Sequence, residues 1–281
     1  MTIAMASFAV EDMFIKFALR HLSLGEVLMI YAAAGLPILW LVAKVQGETF
    51  DKQLLTSPIM LLRSCLEICG RLGHALAVSL IAIATASAIL QATPLVMLAG
   101  ASVLLGDRMS LWSWAALFMG FVGVLVIIQP GSPDMLNIGV GFSIFGMLGF
   151  AGRDLLTRFV PANVSVTSLT ILSYSLLFAI GAGLMIKDQS AFVFEGMSFV
   201  YAALSGVTGI CSYMALMLAL RTGDVRVVVP LRYTRAIFAT LIGVWVFSEV
   251  VSWTTVLGVG MVILSGTYAL YFKPARAPSA I

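Results

Sequence analysis

Residues 5–23, MASFAVEDMFIKFALRHLS, recur imperfectly as residues 147–165, MLGFAGRDLLTRFVPANVS. Met5, Phe8, Ala9, Asp12, Phe17 and Ser23 meet Met147, Phe150, Ala151, Asp154, Phe159 and Ser165 without a gap, and Lys16 meets the equally basic Arg158. Six identities in nineteen positions exceed what a shared apolar composition supplies, and a matched aspartate inside an apolar stretch does not come from composition. The same shift of 142 residues carries Leu104-Leu105-Gly106-Asp107-Arg108-Met109-Ser110 onto Val246-Phe247-Ser248-Glu249-Val250-Val251-Ser252. One offset explains both ends of a unit, so the chain divides into residues 1–130, a second copy at 138–272 and a tail at 273–281.

Composition says what surrounds these units. Of 281 residues, 61% are apolar and 10% charged, with a mean hydropathy of +1.07. Soluble domains carry roughly 25% charged residues, so this chain cannot cover its surface with groups that water accepts. That excludes a soluble enzyme, a nucleic-acid binder, a disordered or collagen-like chain and a secreted disulfide scaffold. Apolar stretches lie at about 1–19, 26–45, 59–80, 84–105, 111–129, 138–159, 167–186, 197–218, 227–247 and 254–272. Ten helical crossings of a core about 30 Å thick use about 200 residues and leave no room for a further domain. The stretches are continuously apolar, which excludes a barrel of alternating strands.

Five crossings per copy is an odd number, so the second copy enters from the opposite side. The expected fold is an all-α polytopic membrane protein, ten transmembrane helices as two inverted five-helix repeats. Nine Lys and Arg near span ends (Lys44, Lys52, Arg63, Arg108, Arg158, Arg221, Arg226, Lys273, Arg276) fall on one side, against Arg20 and Lys187 on the other. The basic side is cytoplasmic, which puts both termini there, in the cell inner membrane. The first apolar stretch runs into Glu11 and Asp12, unlike a cleaved signal peptide. The sixth span begins near Ile138, whose partner would precede Met1, so the first helix is expected to lack a few residues or to be unusually short.

A charge in the middle of a bilayer costs on the order of 3 kcal/mol and marks a pathway or a pair. Arg63, Glu67, Arg71 and His74, spaced four, four and three, share one stripe of the third span, and Arg232 and Arg235 share a face of the ninth, just after Pro230. In the functional reading Arg71, Arg232 and Arg235 converge on a central cavity and grip a carboxylate or phosphate in bidentate fashion. In the bland one Glu67 neutralises Arg63 and Arg71, Arg63 snorkels to the cytoplasm, and Arg232 and Arg235 pair with carboxylates on the first or sixth span. Asp12/Lys16 and Asp154/Arg158, with Glu11 and Arg153 beside them, are candidate gates at opposite mouths; the alternative is a self-closing i,i+4 pair worth about 0.3–0.5 kcal/mol. Glu67 and His74 are candidates for a coupling proton.

Weaker signals surround these. Gln91 and Thr93 on the fourth span and Ser205, Ser212 and Tyr213 on the eighth either line the cavity or, for Ser and Thr, bond their own backbone. Gly120, Gly123, Gly206 and Gly209 permit close helix packing, and Trp112, Trp114, Trp245 and Trp253 read as interfacial anchors. Cys65, Cys69 and Cys211 are expected to be buried in spans, with no metal site and no disulfide, and no nucleotide-binding glycine loop is present.

Thr93-Pro94-Leu95 through Ser110 and Pro230-Leu231-Arg232-Tyr233 through Glu249 resemble the paired span ends of EamA-type carriers in the drug/metabolite transporter superfamily. The resemblance covers essentially the whole chain, and the acidic residue after the fourth and ninth spans is its mark. Asp107 stands where Glu is usual, and the first span is richer in charge than is common. The resemblance implies a cavity walled mainly by spans one, three, four, six, eight and nine, and no one substrate: amino acids, nucleobase-like metabolites, flavins and S-adenosylmethionine are all carried by similar proteins.

The expected function is an inner-membrane secondary transporter moving a small polar metabolite, anionic or zwitterionic, by alternating access, and not an enzyme. The rivals are a membrane-embedded enzyme acting on a phosphorylated lipid and a non-transporting accessory subunit. The expected partners are a small-molecule substrate, the lipid bilayer and protons as coupling ion. Nucleic acid and cofactors are not expected, and the chain should be a monomer or weak homodimer. Glu67, Arg71, His74, Gln91, Tyr213, Arg232 and Arg235 are the substrate-binding candidates.

Overall fold

The computed structural model describes residues 1–48, 57–106, 110–128, 138–161, 164–187, 196–222 and 230–271. Among them all regular structure is helical: α1 Thr2–Ala18, α2 Leu24–Val45, α3 Pro58–Leu80, α4 Ile83–Leu90, α5 Thr93–Leu105, α6 Leu111–Ile128, α7 Ile138–Leu156, α8 Val166–Lys187, α9 Gly196–Thr222, α10 Thr234–Phe247 and α11 Trp253–Tyr271. Single 3-10 turns occupy Thr157–Phe159 and Pro230–Tyr233. Asp107, Arg108, Lys52, Arg226, Lys273, Arg276 and the tail at 273–281, all used in the sequence reading, lie outside the described residues.

The residues shared between the two copies turn out to be helix boundaries. Ser23 caps α2 in a reciprocal box, its hydroxyl accepting from Glu26 N while Glu26 Oε2 accepts from Ser23 N at 2.8 Å. Ser165, 142 residues on, accepts from Ser168 N at 2.9 Å at the head of α8. Ser110 and Ser252 do the same for α6 and α11, accepting from Ser113 N and Thr255 N at 3.1 and 3.2 Å. α5 and α10 end on left-handed residues at the same offset, Gly106 at φ 68° and Ser248 at φ 54°. Moved on by 142 residues, Leu24–Val45 becomes Val166–Lys187, the observed bounds of α8.

The packing repeats as well. α1 lies on α9 as α7 lies on α3, and α1 touches α10 as α7 touches α5; α2 packs on α8, α6 on α11 and α4 on α10. The list of helix pairs is unchanged when the halves are exchanged. Close approach of α3 and α7 requires glycine: a Cβ on Gly73 would sit 2.7 Å from Gly146 N and from the Phe142 carbonyl. The fourth span is broken into α4 and α5, because Pro94 lacks an N–H and its ring crowds the carbonyl four residues back. That carbonyl, Leu90 O, accepts instead from the Thr93 hydroxyl at 2.6 Å.

The bundle is apolar outside and charged inside. Phe118 and Leu264 are 72% and 73% exposed, whereas Arg63 and Glu67 are 1% and 2% exposed. Trp112, Trp114, Trp245 and Trp253 all face outward. By length and composition, Leu24–Val45, Ile83–Leu104, Leu111–Ile128, Ile138–Phe159, Val166–Lys187 and Gly196–Leu216 can cross a bilayer. α1 and α3 carry too much charge for that test and α10 is only 14 residues long, so six segments qualify rather than the ten expected. Cys65 and Cys211 are exposed and Cys69 partly so, against the expected burial: these thiols face outward, where an apolar side chain is as well placed in lipid as in a core. The α3–α7 contact leads to the expectation that Gly146→Val destabilises the protein by about 1–3 kcal/mol through overpacking, read as a lowered midpoint of thermal unfolding in detergent.

Candidate functional site

Three turns of α1 and α3 present their polar residues to one another, and the other helices close around them. The cavity so formed has about 100 Å³ of water-accessible volume, room for several waters. Its wall includes Glu11, Asp12, Arg71, His74, Arg153, Arg232 and Arg235 among the charged and titratable groups, with Gln91, Thr93, Tyr31 and Tyr213 and the rings of Phe8 and Phe150 between them. Six of the seven expected binding residues therefore line it: Arg71, His74, Gln91, Tyr213, Arg232 and Arg235. Glu67 stands behind the wall.

Two ionic clusters organise the cavity. In the first, Asp12 is chelated from two helices: Arg235 Nη2 lies 2.9 and 2.8 Å from its two oxygens, and His74 Nε2 lies 2.9 Å from Oδ1. Ser87 on α4 donates to its other oxygen at 3.5 Å, and the Arg235 guanidinium sits over the Phe8 ring. In the second, Glu67 collects three arginines: Arg63 Nη1 at 3.1 Å, Arg71 Nε at 3.7 Å and Arg153 Nη1 at 3.7 Å, with Ser173 donating at 2.8 Å. Arg71 bridges outward to Glu11 at 3.2 Å and donates to Tyr31 Oη at 2.5 Å, its plane lying over Tyr31 and Tyr174. Tyr31 in turn donates to Glu11 Oε1 at 2.9 Å. Arg153 Nη2 holds Asp154 at 2.7 Å, and Arg232 reaches the other Asp154 oxygen at 3.6 Å.

Several expectations are corrected by this geometry. Arg63 does not snorkel; it is fully buried and donates to Thr157 Oγ1 and Tyr213 Oη, both at 3.2 Å, because α7 and α9 offer acceptors at its own depth. Asp12 and Glu11 are not at a mouth but in the cavity wall, and Asp12 does not close on Lys16. Lys16 instead pairs with Glu249 at 2.6 Å and donates to the Ile81 carbonyl at 3.0 Å, while Ile83 N donates to the same Glu249 oxygen at 3.1 Å. One carboxylate thus ties the end of α1, the α3–α4 corner and the start of the α10–α11 loop. Asp154 pairs with Arg153 and Arg232, and Arg158 is exposed in the 3-10 turn after α7. The three arginines do not leave the zone strongly cationic, since Arg235 and Arg232 meet Asp12 and Asp154, carboxylates of the first and sixth spans. Ser205 and Ser212 bond the carbonyls of Ala202 and Thr208 on their own helix rather than lining the cavity. No cluster of His, Cys, Asp and Glu able to hold a metal ion occurs among the described residues.

Tyr31, Tyr174 and the reach of Glu249 escaped the sequence reading. The two tyrosines sit in otherwise apolar stretches, where a lone hydroxyl was the only available signal.

A family model fits this chain twice. The EamA-like transporter family matches residues 1–129 and again 137–271, and the chain belongs to that family, within the drug/metabolite transporter superfamily. It is similar to the S-adenosylmethionine uptake transporter of Rickettsia felis, 21% identical over 79% of this chain and 74% of that protein. It is also similar to the riboflavin transporter of Rhizobium johnstonii, 26% identical over 58% of this chain and 53% of that one. A solved crystal structure shares the fold, with a TM-score of 0.63 at 16% identity over 96% of this chain and 98% of that chain. Family and relatives point to a small-metabolite transporter rather than an enzyme.

Removing one partner of a buried ion pair leaves an uncompensated charge at a cost of about 3–5 kcal/mol. Glu67→Gln, which strands up to three arginines, is expected to lose about that much stability, and Glu67→Gln with Arg63→Gln to recover part of it. Denaturant unfolding of the single and double variants in detergent measures the difference.

Proposed function

We propose that the protein is a ten-span secondary carrier of a small zwitterionic or anionic metabolite, built as two inverted halves, 1–130 and 138–272, that alternate around the central cavity. Both termini face the cytoplasm in this reading, as the distribution of Lys and Arg requires. The division into halves is supported by the common offset of caps and helix bounds and by the exchange symmetry of the helix contacts. An odd number of spans per half turns the second copy over, and two such copies can trade conformations to open one site to each side in turn.

The observation that carries the substrate class is the pairing of charges in the cavity wall. Arg71 with Glu11, and Arg235 with Asp12, are already neutral pairs. A solute bearing only a cation would have to displace an arginine from its carboxylate and leave that arginine without a partner. A solute bearing a carboxylate exchanges into the arginine while its own cation takes the vacated acid, so every charge keeps a partner throughout. Flat rings fit between Phe8, Phe150 and Tyr31, which suits a metabolite with an aromatic portion. In this scheme the Lys16–Glu249 bridge closes one end of the cavity, and Asp12, Glu11 and Arg153 bind rather than gate.

Counterflow in proteoliposomes tests the reading. Vesicles preloaded with unlabelled S-adenosylmethionine, amino acids, riboflavin or organic anions are diluted into the labelled solute. A carboxylate-bearing zwitterion is expected to exchange, and Arg71→Gln or Arg235→Gln to slow it at least about tenfold, the equivalent of 1.4 kcal/mol. Methyl esters exchanging as fast as the parent acids would overturn the assigned substrate class.

A further inference from the structure

Asp12, His74 and Arg235 form a triad that cannot satisfy all of its members at once. Arg235 Nη2 has two hydrogens and three acceptors in reach: Asp12 Oδ1 at 2.9 Å, Asp12 Oδ2 at 2.8 Å and His74 Nε2 at 3.2 Å. Arginine only donates, so the contact with His74 is favourable only if Nε2 carries no proton. The 2.9 Å contact of the same Nε2 with Asp12 Oδ1 is favourable only if Nε2 does carry one. His74 Nδ1 is buried without a hydrogen-bond partner, so the proton question is settled at Nε2 alone.

The groups around the imidazole make Arg235 the one that can move. α3 packs against α1, α4, α7 and α8. α1 contributes Asp12 and Glu11, α7 contributes Arg153 and Asp154, α8 contributes Tyr174 and α4 no titratable side chain, while Arg71 and Glu67 lie on α3 itself. Glu11, Glu67, Asp154, Arg71 and Arg153 are engaged with one another in the second cluster. Only Asp12 and Arg235 touch the ring among these, and Arg235 also lines the open cavity.

We infer that the protein couples its solute to a proton, with His74 as the proton carrier and Arg235 as the switch. The inference rests on the carrier reading above. A solute carboxylate draws Arg235 off Asp12; Asp12 is left with one negative charge, and His74 Nε2 takes a proton from the open side to replace the arginine there. The solute carboxylate is neutralised by Arg235 and Asp12 by the imidazolium, so the loaded centre has the same internal pairing as the empty one. On the other side the solute leaves, Arg235 returns to Asp12, and the imidazolium gives its proton to the opposite solution. One proton thus accompanies each solute carboxylate in the same direction.

The chain has two histidines, so the proton can be followed directly. In the full chain with His21→Gln, labelled with 15N-histidine in nanodiscs, the imidazole shifts report the protonation midpoint of His74. Arg235→Gln is expected to raise that midpoint by at least about one pH unit, tenfold in proton affinity, because a cation 3.2 Å away is gone. An unchanged midpoint overturns the inference. A measurement that needs no further variant uses proteoliposomes of the wild-type protein holding a pH dye, given the labelled solute found by counterflow. Entry accompanied by acidification of the lumen supports coupling. Entry without it overturns coupling and leaves the carrier reading standing. If no solute in the panel exchanges, the carrier reading is what suffers, and the His74 midpoint decides the proton chemistry by itself.

Discussion

A charge that cannot reach water must be met by another charge, and in this bundle the counter-ion comes from the other half of the chain. Asp12 of α1 is held by Arg235 of α10, Lys16 of α1 by Glu249 after α10, and Glu67 of α3 by Arg153 of α7. Separating the halves would strand each of these groups, at several kcal/mol apiece. Non-directional apolar contact between helices contributes little preference in lipid, since the chains of the bilayer are as apolar as leucine. The ionic clusters and the glycine contacts therefore specify how the halves meet.

The same pairs leave the centre able to rearrange. The central groups are shared among more partners than they can satisfy together: Glu67 serves three arginines, Arg71 serves two acids and a phenol, and Asp12 serves a histidine and an arginine. A network with alternative pairings of similar energy can pass from one to another without exposing an isolated charge. The glycine-lined seam between α3 and α7, by contrast, is backbone against backbone and leaves no slack.

The duplication, the helix bounds and the polar stripe of α3 were legible in the sequence because each leaves a local or periodic mark. Ser23 and Ser165 were visible as identities, and their reason, N-capping, follows from chemistry that acts within four residues. Partners were not legible. Whether Arg235 meets Asp12 or Asp154 depends on the rotation of α10 about its own axis, which apolar patterning in lipid does not encode. The same blindness misplaced the cysteines, for hydropathy cannot separate a side chain facing lipid from one facing the core. Arg63 was misread because its depth alone suggested escape to water, whereas Thr157 and Tyr213 stand beside it. Tyr31 carries a single polar atom on a large ring and looks like its apolar neighbours.

The two copies differ where their last turns unwind. The first uses Gly106 for its left-handed residue, and the second uses Ser248, whose Cβ makes that backbone state dearer by roughly 1–2 kcal/mol. Perfect twins would have no thermodynamic reason to favour one orientation over its mirror. A strained hinge at one rim and a relaxed hinge at the other breaks that degeneracy, and gives a duplicated machine a resting posture without any ligand to choose it.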